Sequence, residues 1–250
     1  EDCVKGFTAD WDEMGEGLEE RLFKARALAV LQAGPHAGAY ANFAISQYKS
    51  WLVSAGESRG PVGARVAVSY GKLTFSHAKR LMRKGVPEGI SPEEAKERGD
   101  LVRYLLRESL EALSSTAEAG GNLRGPNERM TVSEGPVDPV SLEAAIALME
   151  IYVSIGDADK EESMRLFADE LQTVADGFDF ESVALSYANL GAELRSRGEH
   201  ERSTYYFKES FNLSLRTLGE KHRLTTATAS AALGSLRRGA LLGTTELSAL

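Results

Sequence analysis

The sequence predicts an all-α fold, and three observations lead there. Apolar residues recur at three- and four-residue spacing through segments rich in Ala, Leu, Glu and Arg, the residues that cost least in a helix. Only seven prolines punctuate 250 residues. Runs that alternate apolar and polar residues with period two, as half-buried strands do, are scarce.

Helices are expected over roughly 11–33, 37–54, 61–83, 92–118, 139–154, 159–176, 179–197, 200–217 and 223–238, and each break has a local cause. Gly34-Pro35 separates the first two. Gly56 to Pro61 ends the second, and Gly85 to Pro92 ends the third. Gly120 to Pro139 holds four glycines and three prolines, which cannot propagate a helix, and marks a long exposed loop or a boundary. Gly156-Asp157, Asp176 to Asp179, Gly198 and Gly219 divide the remainder. Paired acids at Asp157-Asp159 and Glu161-Glu162 suit the positive end of the helix they open.

Composition bounds the function. A chain that is 42% hydrophobic can bury a sizeable core, and no run approaches the roughly 18 apolar residues of a membrane span. Membrane contact is therefore expected only through partners. The single cysteine, Cys3, excludes an internal disulfide and a cysteine-built zinc site. Together these predict an intracellular soluble protein of the cytoplasm or an organelle matrix or stroma. A net charge of −8 argues against a nucleic-acid binder. The charge is uneven, however: Glu1 to Glu20 is strongly acidic, and Arg195 to Arg238 is basic. That basic segment and Tyr205-Tyr206 keep a nucleic-acid-binding helical repeat as the alternative reading.

Chemistry-bearing constellations are sparse. His36, His77, His200 and His222 stand far apart without metal-binding spacing and read as surface or helix-end residues, with His200 packing beyond a turn. Gly71-Lys72 lacks the rest of a phosphate loop, and Gly120-Gly121 follows a helix rather than a strand. No catalytic residue, metal or cofactor is expected, and an enzyme is the least favoured class.

The chain does compare with itself. In YANLGAELRSRGEHERSTYYFKESF, Tyr187 to Phe211, two apolar series flank Arg197-Gly198-Glu199. Leu190-Gly191 recurs as Leu233-Gly234, and Leu148-Met149 holds the corresponding place in the preceding helix. Ser163 and Phe167 repeat as Ser203 and Phe207 in the following helices. This pattern resembles the tetratricopeptide repeat, in the long variety of about 42 residues found in kinesin light chains. The residues that carry the resemblance are Tyr187, Leu190, Gly191, Leu194, Gly198, Ser203, Phe207, Ser210, Leu233 and Gly234, with Arg216 to His222 as connector.

The resemblance implies antiparallel helix pairs stacked into a right-handed superhelix over about 139–238, with Gly191 and Ser203 at the close contact of one pair. A weaker pair with an inserted loop spans 61–119 through Ala67, Tyr70 and Gly71. Residues 1–60 form a helical cap or degenerate pair with an acidic start, 120–138 the long loop and 239–250 a tail. The implied function is a non-catalytic scaffold or adaptor binding protein partners, as a subunit or assembly factor of a larger complex. Asn189 matches the family's peptide-binding position, but its counterparts are Ala147 and Ala232, which favours a folded partner over an extended peptide. Glu150, Arg195, Ser235 and Arg238 are the other groove-facing candidates, with Arg195 and Arg238 placed to receive an acidic segment.

Overall fold

The computed structural model describes residues 37–55, 60–85, 89–118, 121–122, 131–132, 139–174 and 180–247. The helix expected over 11–33, and most of the long loop, lie outside the described residues. Eight helices are described: α1 (Ala37–Ala55), α2 (Gly60–Arg83), α3 (Pro92–Glu118), α4 (Pro139–Ile155), α5 (Ala158–Val174), α6 (Phe180–Ser196), α7 (His200–Leu218) and α8 (Arg223–Leu247). Two strands of two residues each, β1 (Gly121–Asn122) and β2 (Thr131–Val132), pair within the Gly- and Pro-rich stretch.

The caps explain why the limits follow the sequence so closely. Ser91 and Glu94 exchange hydrogen bonds at the start of α3, Glu94 N–H to Ser91 Oγ at 3.2 Å and Ser91 N–H to Glu94 Oε2 at 2.9 Å, with Pro92 in the first helical position. Asp157 caps α5 by accepting from Lys160 N–H at 3.2 Å. At Gly198, φ is +83°, and the N–H groups of Gly198 and Glu199 return to Arg195 O and Leu194 O. That pattern closes a helix on a left-handed residue, which glycine adopts at little cost. The main departure is α8, which passes Arg238 and continues to Leu247 through the expected tail. Gly239 and Gly243 stand singly among Ala240, Leu241 and Leu242, and one interior glycine costs only about 1 kcal/mol.

The chain divides into two compact units, Glu1–Gly121 and Asn122–Leu250, parting where the Gly- and Pro-rich stretch begins. In the first unit α2 pairs with α3, and α1 packs on α2. Ala41, Ala44, Ile45 and Tyr48 of α1 share a core with Val66, Tyr70, Leu73 and Ala78 of α2 and with Leu105 and Ala112 of α3. The α2–α3 contact is close at Gly71, where a Cβ would stand 2.6 Å from Leu113 Cγ. Beside it Ser109 Oγ donates to Gly71 O at 2.6 Å.

In the second unit α4 is apolar nearly all round and buried accordingly, from Val140 to Val153. It packs on α5 and α6, α6 pairs with α7, α7 with α8, and α6 also touches α8. Here the close contact is at Gly191, where a Cβ would meet the Phe207 ring at 3.0 Å. Ser203 Oγ donates to Gly191 O at 2.8 Å, and Ser210 Oγ to Ala184 O at 2.6 Å. Arg197 links successive pairs by donating to Val153 O, which also accepts from Gly156 N–H, and, at 3.1 Å, to Ser154 O in the last turn of α4.

Two sequence expectations are corrected. Leu233 is 58% exposed and Gly234 has open space above its Cα, so neither takes the place of Leu190 and Gly191. Ala232 and Ser235 turn inward instead. Ser235 is fully buried with its hydroxyl 3.2 Å from Ser203 Oγ, which removes it from any groove surface. The physical reason is that α8 is Ala- and Ser-rich on several faces, so a Leu-Gly pair does not by itself decide which face packs.

Candidate functional site

In the first unit α1, α2 and α3 surround a cavity of about 360 Å³ lined by Tyr48, Lys49, Tyr70, Glu108, Glu111 and Ser115, among others. Tyr48 and Tyr70 stack with ring centroids 3.7 Å apart. Tyr70 Oη donates to Glu108 Oε2 at 2.6 Å, and Lys49 Nζ lies 3.2 Å from the same oxygen and 4.8 Å from the Tyr104 ring centroid. Burial works to raise the Glu108 pKa, but hydrogen bonds from Tyr70 and Lys49 outweigh it and hold the carboxyl below its ordinary value. Burial, and then the bond to Glu108, push Tyr70 up. Lys49 is raised as well: burial opposes this, and the contacts with Tyr104 and Glu108 prevail. All three groups are thus held in their ordinary charge states at neutral pH. A general acid or base needs a pKa near the working pH, and this cluster offers none.

In the second unit a hollow of about 200 Å³ lies among Glu161, Glu162, Arg165, Arg202, Tyr205 and Tyr206. Glu161 is 3% exposed and pairs with Arg202, which also binds Glu199. Arg165 holds Glu162, Asp169 at 3.1 Å and Tyr205 Oη at 3.0 Å. Glu161 is therefore more than a helix-start charge: it is a buried anion with a cation brought from another helix, and burial raises its pKa against that pairing. Periodicity contained no signal for this, because Arg202 lies 41 residues further on.

The residues proposed from the sequence scatter. Asn189 is exposed on α6 and Arg238 on α8, whereas Glu150 is half-buried on α4. Arg195 lies over the Phe207 ring at 5.1 Å from its centroid, so part of its surface is committed to packing. Tyr187, Leu190, Gly191 and Leu194 are buried on α6 as the helix-pair pattern requires. Tyr187 Oη accepts from Gln172 Nε2 at 2.7 Å.

His77 departs from the surface reading. It is 2% exposed, and burial, then the charge of Arg80, bring its pKa down to about 4. His222 sits at the start of α8, where its Nδ1 accepts from Leu224 N–H at 3.3 Å. His200 is half-buried with Nδ1 unpartnered, and His36 lies outside the described residues. Among the described residues no three His, Cys, Asp or Glu side chains are grouped to hold a metal ion, and no helix is long and apolar enough to cross a membrane.

Comparison with protein-family models, with curated proteins and with solved structures finds no match for this chain.

Proposed function

We propose that this chain is a non-catalytic protein-interaction scaffold, a subunit or assembly factor of a larger complex, whose second unit is a right-handed stack of tetratricopeptide-like helix pairs. The observation that carries this reading is the outer surface of α6 and α8. These helices touch, and they expose Leu185 at 50%, Leu233 at 58% and Leu236 at 51%. Single exposed leucines are ordinary, but three on two helices that touch leave more apolar surface in water than the rest of this unit's helices, surface of the kind that a partner covers. Arg237 and Arg238 are exposed beside Leu236, as a polar rim is beside an apolar centre.

The occupant that fits is the folded surface of another protein. An extended peptide needs repeated side-chain amides along its length, and here only Asn189 faces out, because Ala147 and Ala232 are buried at 4% and 7%. Nucleic acid fits less well. Tyr206 is 1% exposed, and the Arg165 guanidinium lies over the half-buried Tyr205 ring at 4.9 Å from its centroid, so little ring surface is left for base stacking. Arg197 and Arg202 are engaged within the fold.

The test is the native size of the chain in extracts of its source cells, compared with a Leu185→Glu, Leu233→Glu double variant. These positions are exposed, so the variant should keep its far-UV spectrum and melting temperature while falling from a large species to the size of the free chain. A wild-type chain that already migrates as a monomer would overturn the proposal.

A further inference from the structure

On α6, Val183, Ala184, Tyr187, Leu190, Gly191 and Leu194 are buried. α7 covers this face, with the Phe207 ring against Gly191, Ser203 donating to Gly191 O and Ser210 donating to Ala184 O. Carried forward by the interval that separates Leu190-Gly191 from Leu233-Gly234, the same six positions on α8 are Thr226, Ala227, Ser230, Leu233, Gly234 and Arg237. Five of these are exposed, and at Gly234 nothing stands within 4 Å of the place where a Cβ would be. The face of α8 that is buried runs instead through Thr225, Thr228, Ala232 and Ser235. α8 therefore presents to solvent, in register, the surface that a second helix covers on α6.

The charge on that surface says what fits it. Arg223 and Arg237 are exposed at its two ends with Arg238 beside them, and between Arg216 and Arg238 the only acid is Glu220. A second copy of this chain is a poor match. Antiparallel α8 helices centred on Ser230 would set Arg223 against Arg237, and parallel ones would set each arginine against its own copy. Like charges so placed repel, whereas an acidic helix meets both ends with opposite charge. Where α6 has Val183, Tyr187 and Leu194, α8 has Thr226, Ser230 and Arg237. These polar replacements let the face stand in water before a partner arrives.

Given the scaffold reading, on which this rests, we propose that the open face of α8 docks an acidic amphipathic helix of a partner protein. That helix sets an aromatic ring on Gly234 and a small hydroxyl residue one turn before it, as Phe207 and Ser203 of α7 do at Gly191. Carboxylates at its two ends meet Arg223 and Arg237 by charge-assisted hydrogen bonds.

The probe is a labelled peptide copying α7, His200 to Leu218, made acidic by Lys208→Glu and Arg216→Glu, and titrated with the intact chain by fluorescence anisotropy. One saturable site per chain is expected. Gly234→Leu fills open space, so the chain should keep its melting temperature while binding the peptide at least roughly tenfold more weakly, because the two helices are held apart. An Arg223→Glu, Arg237→Glu double variant should lose the acidic peptide and bind instead a basic counterpart, the α7 copy carrying Glu201→Lys and Glu209→Lys. That exchange of preference is a readout that a merely structural role would not move. No saturable binding, or wild-type affinity in both variants, would overturn the proposal. So would self-association of the chain, or binding of an oligothymidylate, that Gly234→Leu abolishes. A chain that migrates in a large species from source-cell extracts yet ignores the peptide loses this site and keeps the scaffold reading, whereas a monomeric wild type overturns both.

Discussion

The pairs α2–α3 and α6–α7 close in the same way although different lengths of chain join them. In each, a glycine lets the partner helix approach, a serine donates to that glycine's carbonyl, and a larger apolar residue four positions after the serine fills the space. The residues are Gly71, Ser109 and Leu113 in one pair and Gly191, Ser203 and Phe207 in the other. Yet Lys84 to Ser91 connects the first pair, whereas Arg197 to Glu199 suffices for the second. The contact chemistry therefore does not depend on a tight turn. What differs is the flank: Tyr70 donates its hydroxyl to Glu108, which also pairs with Lys49, while its counterpart Leu190 is apolar and buried.

Truncating the filler breaks both contacts and gives the largest expected effects. Phe207→Ala should cost about 4 kcal/mol and Leu113→Ala about 3 kcal/mol in urea unfolding, since both side chains are buried and leave cavities. Costs below about 1 kcal/mol at either site would mean that the two contacts do not hold their pairs.

Filling the glycine instead separates the pairs. A Cβ at Gly71 must displace Leu113 Cγ from 2.6 Å, whereas at Gly191 it meets the Phe207 ring at 3.0 Å. Overpacking costs roughly 1 to 3 kcal/mol, and alanine returns about 1 kcal/mol in helix preference. Gly71→Ala should therefore destabilise by about 1 to 2 kcal/mol and Gly191→Ala by close to nothing. Equal losses in thermal melts would show that the second pair is as tightly closed as the first.

The smallest effect concerns pH. Glu108 is held below the ordinary glutamate value of 4.5, so its contribution is present above that value and is lost as pH falls through its folded pKa. Glu161 is raised by burial, so its contribution is present below 4.5 and is lost as pH rises through the raised value. As pH falls from neutral through 4.5 and below, exchange protection, corrected for the intrinsic amide rate, should fall around Glu108 in α3 and rise around Glu161 in α5. Parallel changes in the two helices would contradict the opposite shifts.

Helix limits were legible because their causes are local. Ser91 with Glu94, Asp157 and Gly198 act within a few residues of themselves, and the Gly191–Ser203 approach could be read because the two positions flank one turn. Contacts made over greater distance left no such trace. Lys49, Tyr70 and Glu108 belong to three helices, and nothing in the spacing of any one of them announces the other two.

By itself, then, the sequence determined that the described residues are almost all helical, where most of their helices begin and end, and that Gly156, Gly198 and Gly219 sit at turns, since propensity, capping and periodicity act over a turn or two. Tertiary structure alone decided which face of α8 packs, turning Ser235 inward and Leu233 outward, and which ionisable groups are buried. Glu161 receives an arginine from another helix, and Arg80 receives none of the acids described. Pattern states how much of a helix is apolar, but the choice among competing faces, and the charge that a buried side chain meets there, follow from what the neighbouring helices present.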